Sequence, residues 1–312
     1  MTRGSHLGTS EDTQVRPDRG FRSEVVLSAP APLRPRGADT GALPTFLIIG
    51  AMKSGTSALY WSLRRHPDVF VHPAKEAHFF DERWEKGPRW YQAGFEARGD
   101  ARAWGEATPE YMRAAALCAP RIADTVPDAA LIAILRDPAD RAYSHYWHQR
   151  ARGRESLSFE DAIEAELRGK RPARGRLDFR YVDGSRYASQ LDEYVARFPR
   201  EQLLVLVFEQ FSAAPEGAMR RVFRHIGVRD DIPVAISDEP VNPYRSPRSM
   251  WLRRRLKDRQ GRAAKLLDQV NMRTTKYPVL RPETRARLLE VLAPERAALA
   301  ERYGIVAPEW ER

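Results

Sequence analysis

The stretch Leu47-Ile48-Ile49-Gly50-Ala51-Met52-Lys53-Ser54-Gly55-Thr56-Ser57 decides the fold. Its apolar opening, with Phe46 before it, predicts a short strand buried on both faces, as in a parallel sheet. Gly50 and Gly55 bracket a turn, and the hydroxyls of Thr56 and Ser57 open a helix expected over residues 56–65. A strand, a glycine-bracketed turn and a helix start direct successive backbone N–H groups at one point, which makes an anion site. Outward from this unit the alternation repeats. Residues 69–71 and 103–105 predict weak strands, and 131–135 and 203–208 predict strong ones. Helical periodicity covers 139–150, 187–197, 215–226 and 282–303. Such alternation predicts an α/β domain whose parallel sheet is flanked by helices. Residues 44–312 read as a single domain, since no repeat or linker divides them. Residues 1–43, rich in Gly, Ser, Thr, Pro and Arg, read as a disordered leader. Two Arg-rich stretches, 150–180 and 245–262, read as insertions over one face of the sheet.

The 312 residues are 42% hydrophobic and 10% aromatic, enough for a sizeable core. No apolar run reaches the roughly 18–20 residues of a spanning helix, so no membrane span is expected. Cys118 is the only cysteine, which excludes an internal disulfide framework and a Cys-based metal cluster and leads us to expect a reducing, cytoplasmic setting. The net charge of +10 comes from seven lysines and 45 arginines against 42 acids. A bias toward Arg explains most of that count; what remains is a surface suited to anions such as nucleic acid, membrane headgroups or a phosphorylated cofactor.

The spacing Gly50-x-x-x-x-Gly55 is that of a nucleotide-binding P-loop, but the lysine is displaced. A P-loop places Lys directly after the second glycine and then Ser or Thr for Mg²⁺. Here Thr56 follows Gly55, and Lys53 stands two residues before it. A Mg²⁺-dependent kinase-like phosphotransferase is therefore the weaker enzymatic reading. A basic nucleic-acid-binding protein would use 245–262, with Arg253-Arg254-Arg255. Trp251, Leu252, Leu256, Leu267 and Val270 instead predict an amphipathic helix there, so no nucleic-acid partner is expected.

Lys53, Gly55, Thr56, Ser57 and Leu59 follow the form Lys-x-Gly-Thr-Ser/Thr-x-Leu. With them the chain resembles the sulfotransferases that use 3′-phosphoadenosine 5′-phosphosulfate (PAPS), in particular the heparan sulfate type and bacterial relatives. The likeness runs from about Thr45 to Trp310. Arg136-Asp137-Pro138-x-x-Arg141-x-x-Ser144 matches the family's 3′-phosphate segment. On physical grounds too, an arginine leaving a strand and a serine eight residues on can converge on one phosphate. Glu76-Ala77-His78-Phe79-Phe80 resembles a Glu-x-His-Phe-Phe segment whose Glu is the family's base, which implies Glu76 as base with His78 beside it. Among aromatics, desolvation is expected to raise the Glu76 pKa toward a useful range.

Glu106-Ala107-Thr108-Pro109-Glu110-Tyr111 resembles a Glu-Lys-Thr/Ser-Pro-x-Tyr segment, but Ala107 stands where the family's ligand-binding lysine would be, and Glu106 is expected either to face the acceptor or to serve a structural role. Tyr187 occupies the place of a tyrosine near the cofactor, and Lys276 that of a late cofactor loop. The resemblance implies a P-loop NTPase-like fold, PAPS as sulfate donor, no metal, and in-line sulfuryl transfer to a hydroxyl or amine of a small-molecule or saccharide acceptor. In that scheme Lys53 stabilises the leaving oxygen, Ser54, Gly55, Thr56 and Ser57 hold the 5′-phosphate through their backbone, and Arg136 and Ser144 hold the 3′-phosphate. Residues 153–184 and 234–248 are expected to line the acceptor cleft. Acceptor identity and oligomeric state stay open.

Overall fold

The computed structural model describes residues 43–171, 179–233, 244–256 and 262–311. The expected leader, apart from Leu43, and parts of both expected acceptor segments (172–178 and 234–243) lie outside the described residues. Five strands, β1 (Phe46–Gly50), β2 (Val69–Val71), β3 (Ala103–Ala107), β4 (Ala130–Leu135) and β5 (Leu203–Val207), form one parallel sheet in the order β2-β3-β1-β4-β5. Leu47 pairs with Glu106 on one side and Leu131 on the other, and Leu131 pairs in turn with Leu203.

Both faces of the sheet are covered, and the period of two divides each strand between two cores. Leu47, Ile49, Leu131, Ala133 and Leu135 face a cluster containing Phe79, Tyr111, Tyr187 and Leu191. Phe46, Ile48, Ile132 and Ile134 face the other, with Leu59, Leu63, Val222 and Phe223. Every residue of β1 and β4 is buried, which explains why these two strands read as unbroken apolar runs.

A third core joins helix Pro138–Ala151 to the region that follows it: Tyr143, Tyr146, Phe159, Tyr181 and Leu288 pack together. Asp137 caps that helix, accepting from the Asp140 N–H at 2.8 Å. Arg285, from helix Pro282–Val291, grips the same end, with Asp137 Oδ2 at 2.6 Å and Asp140 Oδ1 at 2.8 Å. The chain's end is thus fastened to the start of the helix that carries Ser144.

Two expectations are corrected. The helix expected over 282–303 is two helices, Pro282–Val291 and Ala293–Tyr303, meeting at Leu292. Pro294 has no N–H for the Glu290 carbonyl, and its ring would collide with that oxygen, so the first helix stops. The stretch 245–262 is one limb of an arm rather than a simple insertion. Strands β6 (Arg245–Pro247) and β7 (Met272–Thr274) pair antiparallel at its base, and helices Met250–Leu256 and Arg262–Asn271 lie between them.

Candidate active site

Residues that follow the C-terminal ends of all five strands line one cleft: Lys53 after β1, Glu76 after β2, Glu110 after β3, Arg136 after β4 and Phe208 after β5. That edge is where open parallel sheets bind ligands. The cleft measures about 2570 Å³. A drug-sized ligand needs roughly 300–1000 Å³, so two ligands fit side by side.

The β1 loop supplies its floor. Gly55 sits in the left-handed region at φ 98°, and a Cβ there would lie 2.7 Å from the Phe208 ring, so only glycine fits. Lys53 is also left-handed, at φ 72°. Helix Thr56–Leu63 begins immediately after Gly55 with no side-chain cap, and the N–H groups of Gly55 and Thr56 have no intrahelical carbonyl to meet. They suit an anion. The Ser54 N–H does not join them, because it donates to the Ala51 carbonyl at 3.2 Å and the residue is fully buried.

Cations crowd this floor. Burial first, then the nearby charges of Arg136 and Arg152, lowers the Lys53 pKa to about 8. Arg136 lies over the Phe208 ring at 5.3 Å and reaches the Lys53 carbonyl at 3.4 Å, while its buried Nε has no hydrogen-bond partner. An orphaned guanidinium donor beside a depressed ammonium fits a phosphorylated nucleotide. Thr56, Ser57, Ser144 and Lys276 line the same cleft. Tyr187 does not: it is fully buried, and its hydroxyl donates to the Arg136 carbonyl at 2.9 Å, so it supports the site from behind. Arg141 is buried as well, donating to Ser185 Oγ at 2.6 Å and to the Tyr181 carbonyl.

Glu76 overturns the expected direction of its shift. Burial does push its pKa up, but His78 and Lys75 outweigh burial and hold the carboxyl at about 2. Lys75 Nζ is 2.6 Å from Oε1, and His78 Nε2 is 3.6 Å from Oε2. His78 moves the opposite way. Burial lowers its pKa, but Asp81, 2.9 Å from Nδ1, and Glu76 together raise it to about 10. His78 is therefore an imidazolium that orients Glu76, and cannot itself take a proton at neutral pH. Beside Glu76 the carboxyl that is raised is Glu110, a residue to which the sequence assigned no role. Burial and then the Glu76 charge push it up, and its buried Oε2 has no hydrogen-bond partner. Glu76, His78 and Glu110 offer ligand atoms within 4.8 Å of one another. The Lys75 ion pair and the His78 proton oppose a cation there.

A buried acid fixes this loop. Lys75 and His78 both have positive φ, at 60° and 52°, which turns the following N–H groups inward. Ala77 N–H donates to Glu106 Oε2 at 3.1 Å, His78 N–H to Thr108 Oγ1 at 3.3 Å and Phe79 N–H to the Tyr111 hydroxyl at 2.9 Å. Tyr91, Tyr111 and Thr108 in turn donate to Glu106. No periodicity reveals such a role; the spacing of Glu106, Thr108 and Tyr111 becomes meaningful only once β3 lies beside the 75–80 loop.

Residues 43–246 match the family described as "Sulfotransferase domain". Heparan sulfate glucosamine 3-O-sulfotransferase 3B1 of Homo sapiens is 32% identical over 212 residues, covering 67% of this chain and 53% of that protein. Bifunctional heparan sulfate N-deacetylase/N-sulfotransferase 3 of Homo sapiens is 34% identical over 198 residues, 60% of this chain and 22% of that protein. The chain thus spans about half the length of the first relative and about a fifth of the second. A crystal structure of a sulfotransferase from Alicyclobacillus acidocaldarius superposes with a TM-score of 0.66 at 28% identity, covering 87% of this chain and all of that one.

Glu106→Gln tests the anchoring of the loop. It turns one acceptor oxygen into a donor facing donors, so stability should fall by about 1–3 kcal/mol, read by thermal denaturation. With the loop released, turnover should fall more than nucleotide affinity does.

Proposed function

The chain belongs to the sulfotransferase family, and on that footing we propose that it moves the sulfuryl group of PAPS to a hydroxyl or amine of a saccharide or other small-molecule acceptor. The observation that carries this reading is the meeting of Lys53, the uncapped start of helix Thr56–Leu63, Arg136 and Glu76 in one cleft. When bound, the donor supplies a sulfuryl group attached to a phosphate oxygen that becomes negative as it leaves.

Lys53 lies at the turn where that charge builds. At about 8 its pKa leaves it mostly protonated at pH 7, and an approaching anion strengthens its hold on the proton. The N–H groups of Gly55 and Thr56 would hold the 5′-phosphate. Arg136 and Ser144 take the 3′-phosphate, the arginine through a fork whose Nε has no other partner. The acceptor oxygen or nitrogen bonds to sulfur as the bond from sulfur to the phosphate oxygen breaks, and the acceptor's proton goes to Glu76. With a pKa of about 2, Glu76 is always ionised but weakly basic. Such a base suffices where the entering bond is little formed at the transition state, as in phosphoryl transfer, and the proton moves late. No step is assigned to a metal: the cations of the cleft occupy the role that Mg²⁺ has in kinases.

The acceptor is proposed to be anionic, since twelve Lys and Arg against seven Asp and Glu line the cleft. A saccharide bearing carboxylate or sulfate groups meets that condition, in keeping with the names of the heparan sulfate relatives. We place the reaction in a reducing, cytoplasmic setting, a reading compatible with the free, buried Cys118.

Transfer of labelled sulfate from PAPS tests the assignment. Glu76→Gln should leave nucleotide affinity close to the parent's and remove roughly two to four decades of rate. A parent-like rate would move the base to Glu110, and Glu110→Gln would then be the inactive protein.

The Lys53 pKa has a consequence in solution. Above pH 8 the free protein has lost the Lys53 proton, whereas an anionic nucleotide restores it. Binding of adenosine 3′,5′-bisphosphate should therefore weaken as pH rises through 8 and take up protons there, measured by calorimetry in buffers of different ionisation enthalpy. Lys53→Met should abolish that uptake.

A further inference from the structure

We propose that the arm formed by helices Met250–Leu256 and Arg262–Asn271 seats on an anionic phospholipid surface, with the cleft opening beside it. Four large apolar side chains on the arm stand in solvent: Trp251 at 64% exposure, Leu266 at 63%, Leu267 at 52% and Val270 at 66%. Leu266, Leu267 and Val270, at spacings of one and four, share one side of their helix. Asn271 pins the two helices at the base of the arm. Its Oδ1 accepts from the Ser249 N–H at 2.8 Å, and its Nδ2 donates to the Ser249 carbonyl at 3.0 Å. Trp251 and Val270, each within two residues of that pin, therefore lie at the same end.

The stretch of sequence that carries this arm is strongly basic. Residues 245–273 carry ten cations against Asp258 and Asp268, a surplus of eight in a chain whose whole surplus is ten. Arg245, Arg248, Arg255 and Arg273 are exposed, and the Arg255 guanidinium lies 4.7 Å from the centre of the Trp251 ring. A soluble polyanion would engage these arginines and leave Leu266, Leu267 and Val270 wet. The boundary between headgroups and acyl chains takes both at once, arginine to phosphate and the apolar side chains beneath. No described helix is long and apolar enough to cross a membrane, so the arm would lie on the surface. Arg245, Arg253, Met272 and Thr274, at and near the base of the arm, also line the cleft. Seating the arm thus brings the cleft mouth to the headgroup layer, where a surface-held acceptor would meet it.

Vesicle binding tests this without reference to catalysis, so its failure would leave the sulfotransferase reading standing. The full chain is sedimented with vesicles of phosphatidylcholine alone and of phosphatidylcholine mixed with phosphatidylglycerol. Binding is expected to the mixed vesicles, fading as salt is added, with little to the neutral ones. Trp251→Ser with Val270→Ser, and separately Arg248→Glu with Arg255→Glu, should each lower the vesicle-bound fraction roughly tenfold. Both variants should keep the parent's affinity for adenosine 3′,5′-bisphosphate, which shows that they are folded. The proposal is overturned if the parent ignores the mixed vesicles or if the variants bind them as the parent does. It is equally overturned if the parent binds duplex DNA or self-associates through this patch in place of vesicle binding.

Discussion

The cleft depends on cations held together where water cannot separate them. Lys53 loses proton affinity from an ordinary 10.5 to about 8 because it is buried and faces Arg136. That shift corresponds to about 3 kcal/mol of strain in the empty site, at 1.36 kcal/mol per pKa unit. An anion relieves it. The rest of the fold resists the repulsion until one arrives: β1 and β4, buried along their whole length, fix the points from which Lys53 and Arg136 emerge. The Phe208 ring, in contact with both the Gly55 turn and the Arg136 guanidinium, sets their separation.

The acidic side of the cleft obeys the opposite constraint. Glu76 and Glu110 are close enough to repel, while His78 and Lys75 hold Glu76 ionised and Asp81 holds the His78 proton. This arrangement needs a loop with two non-glycine residues at positive φ, which local propensity disfavours. Buried Glu106 supplies the compensation by receiving, directly or through Thr108 and Tyr111, the N–H groups that those turns direct inward. The carboxylate poised for chemistry is thus held by a second one that never reaches the cleft.

How much of this was legible in sequence follows from the range of the forces involved. Strands β1, β4 and β5 show as apolar runs because both their faces are buried, and the anion loop shows because glycine and hydroxyl spacing is a local requirement. Lys53, Arg136 and Ser144, brought together in sequence by the family resemblance of their two motifs, line one cleft. The direction of the Glu76 shift was misread, since desolvation by the neighbouring aromatics is visible in sequence while the inward reach of Lys75 and His78 is not. Glu110 was missed, and for Glu106 a structural role stood level with one facing the acceptor, because both depend on β3 lying against the 75–80 loop. The break at Leu292 was available from Pro294, but the strong periodicity on either side masked it.

The most direct measurement compares adenosine 3′,5′-bisphosphate with adenosine 5′-phosphate by calorimetry, for the parent protein and Arg136→Ala. The two nucleotides differ only in the 3′ group that Arg136 is placed to hold. The parent should prefer the bisphosphate, and Arg136→Ala should lose about 1.5–3 kcal/mol, roughly ten- to a hundredfold, for the bisphosphate alone. Equal losses for both nucleotides, or a parent protein that does not distinguish them, would contradict that placement.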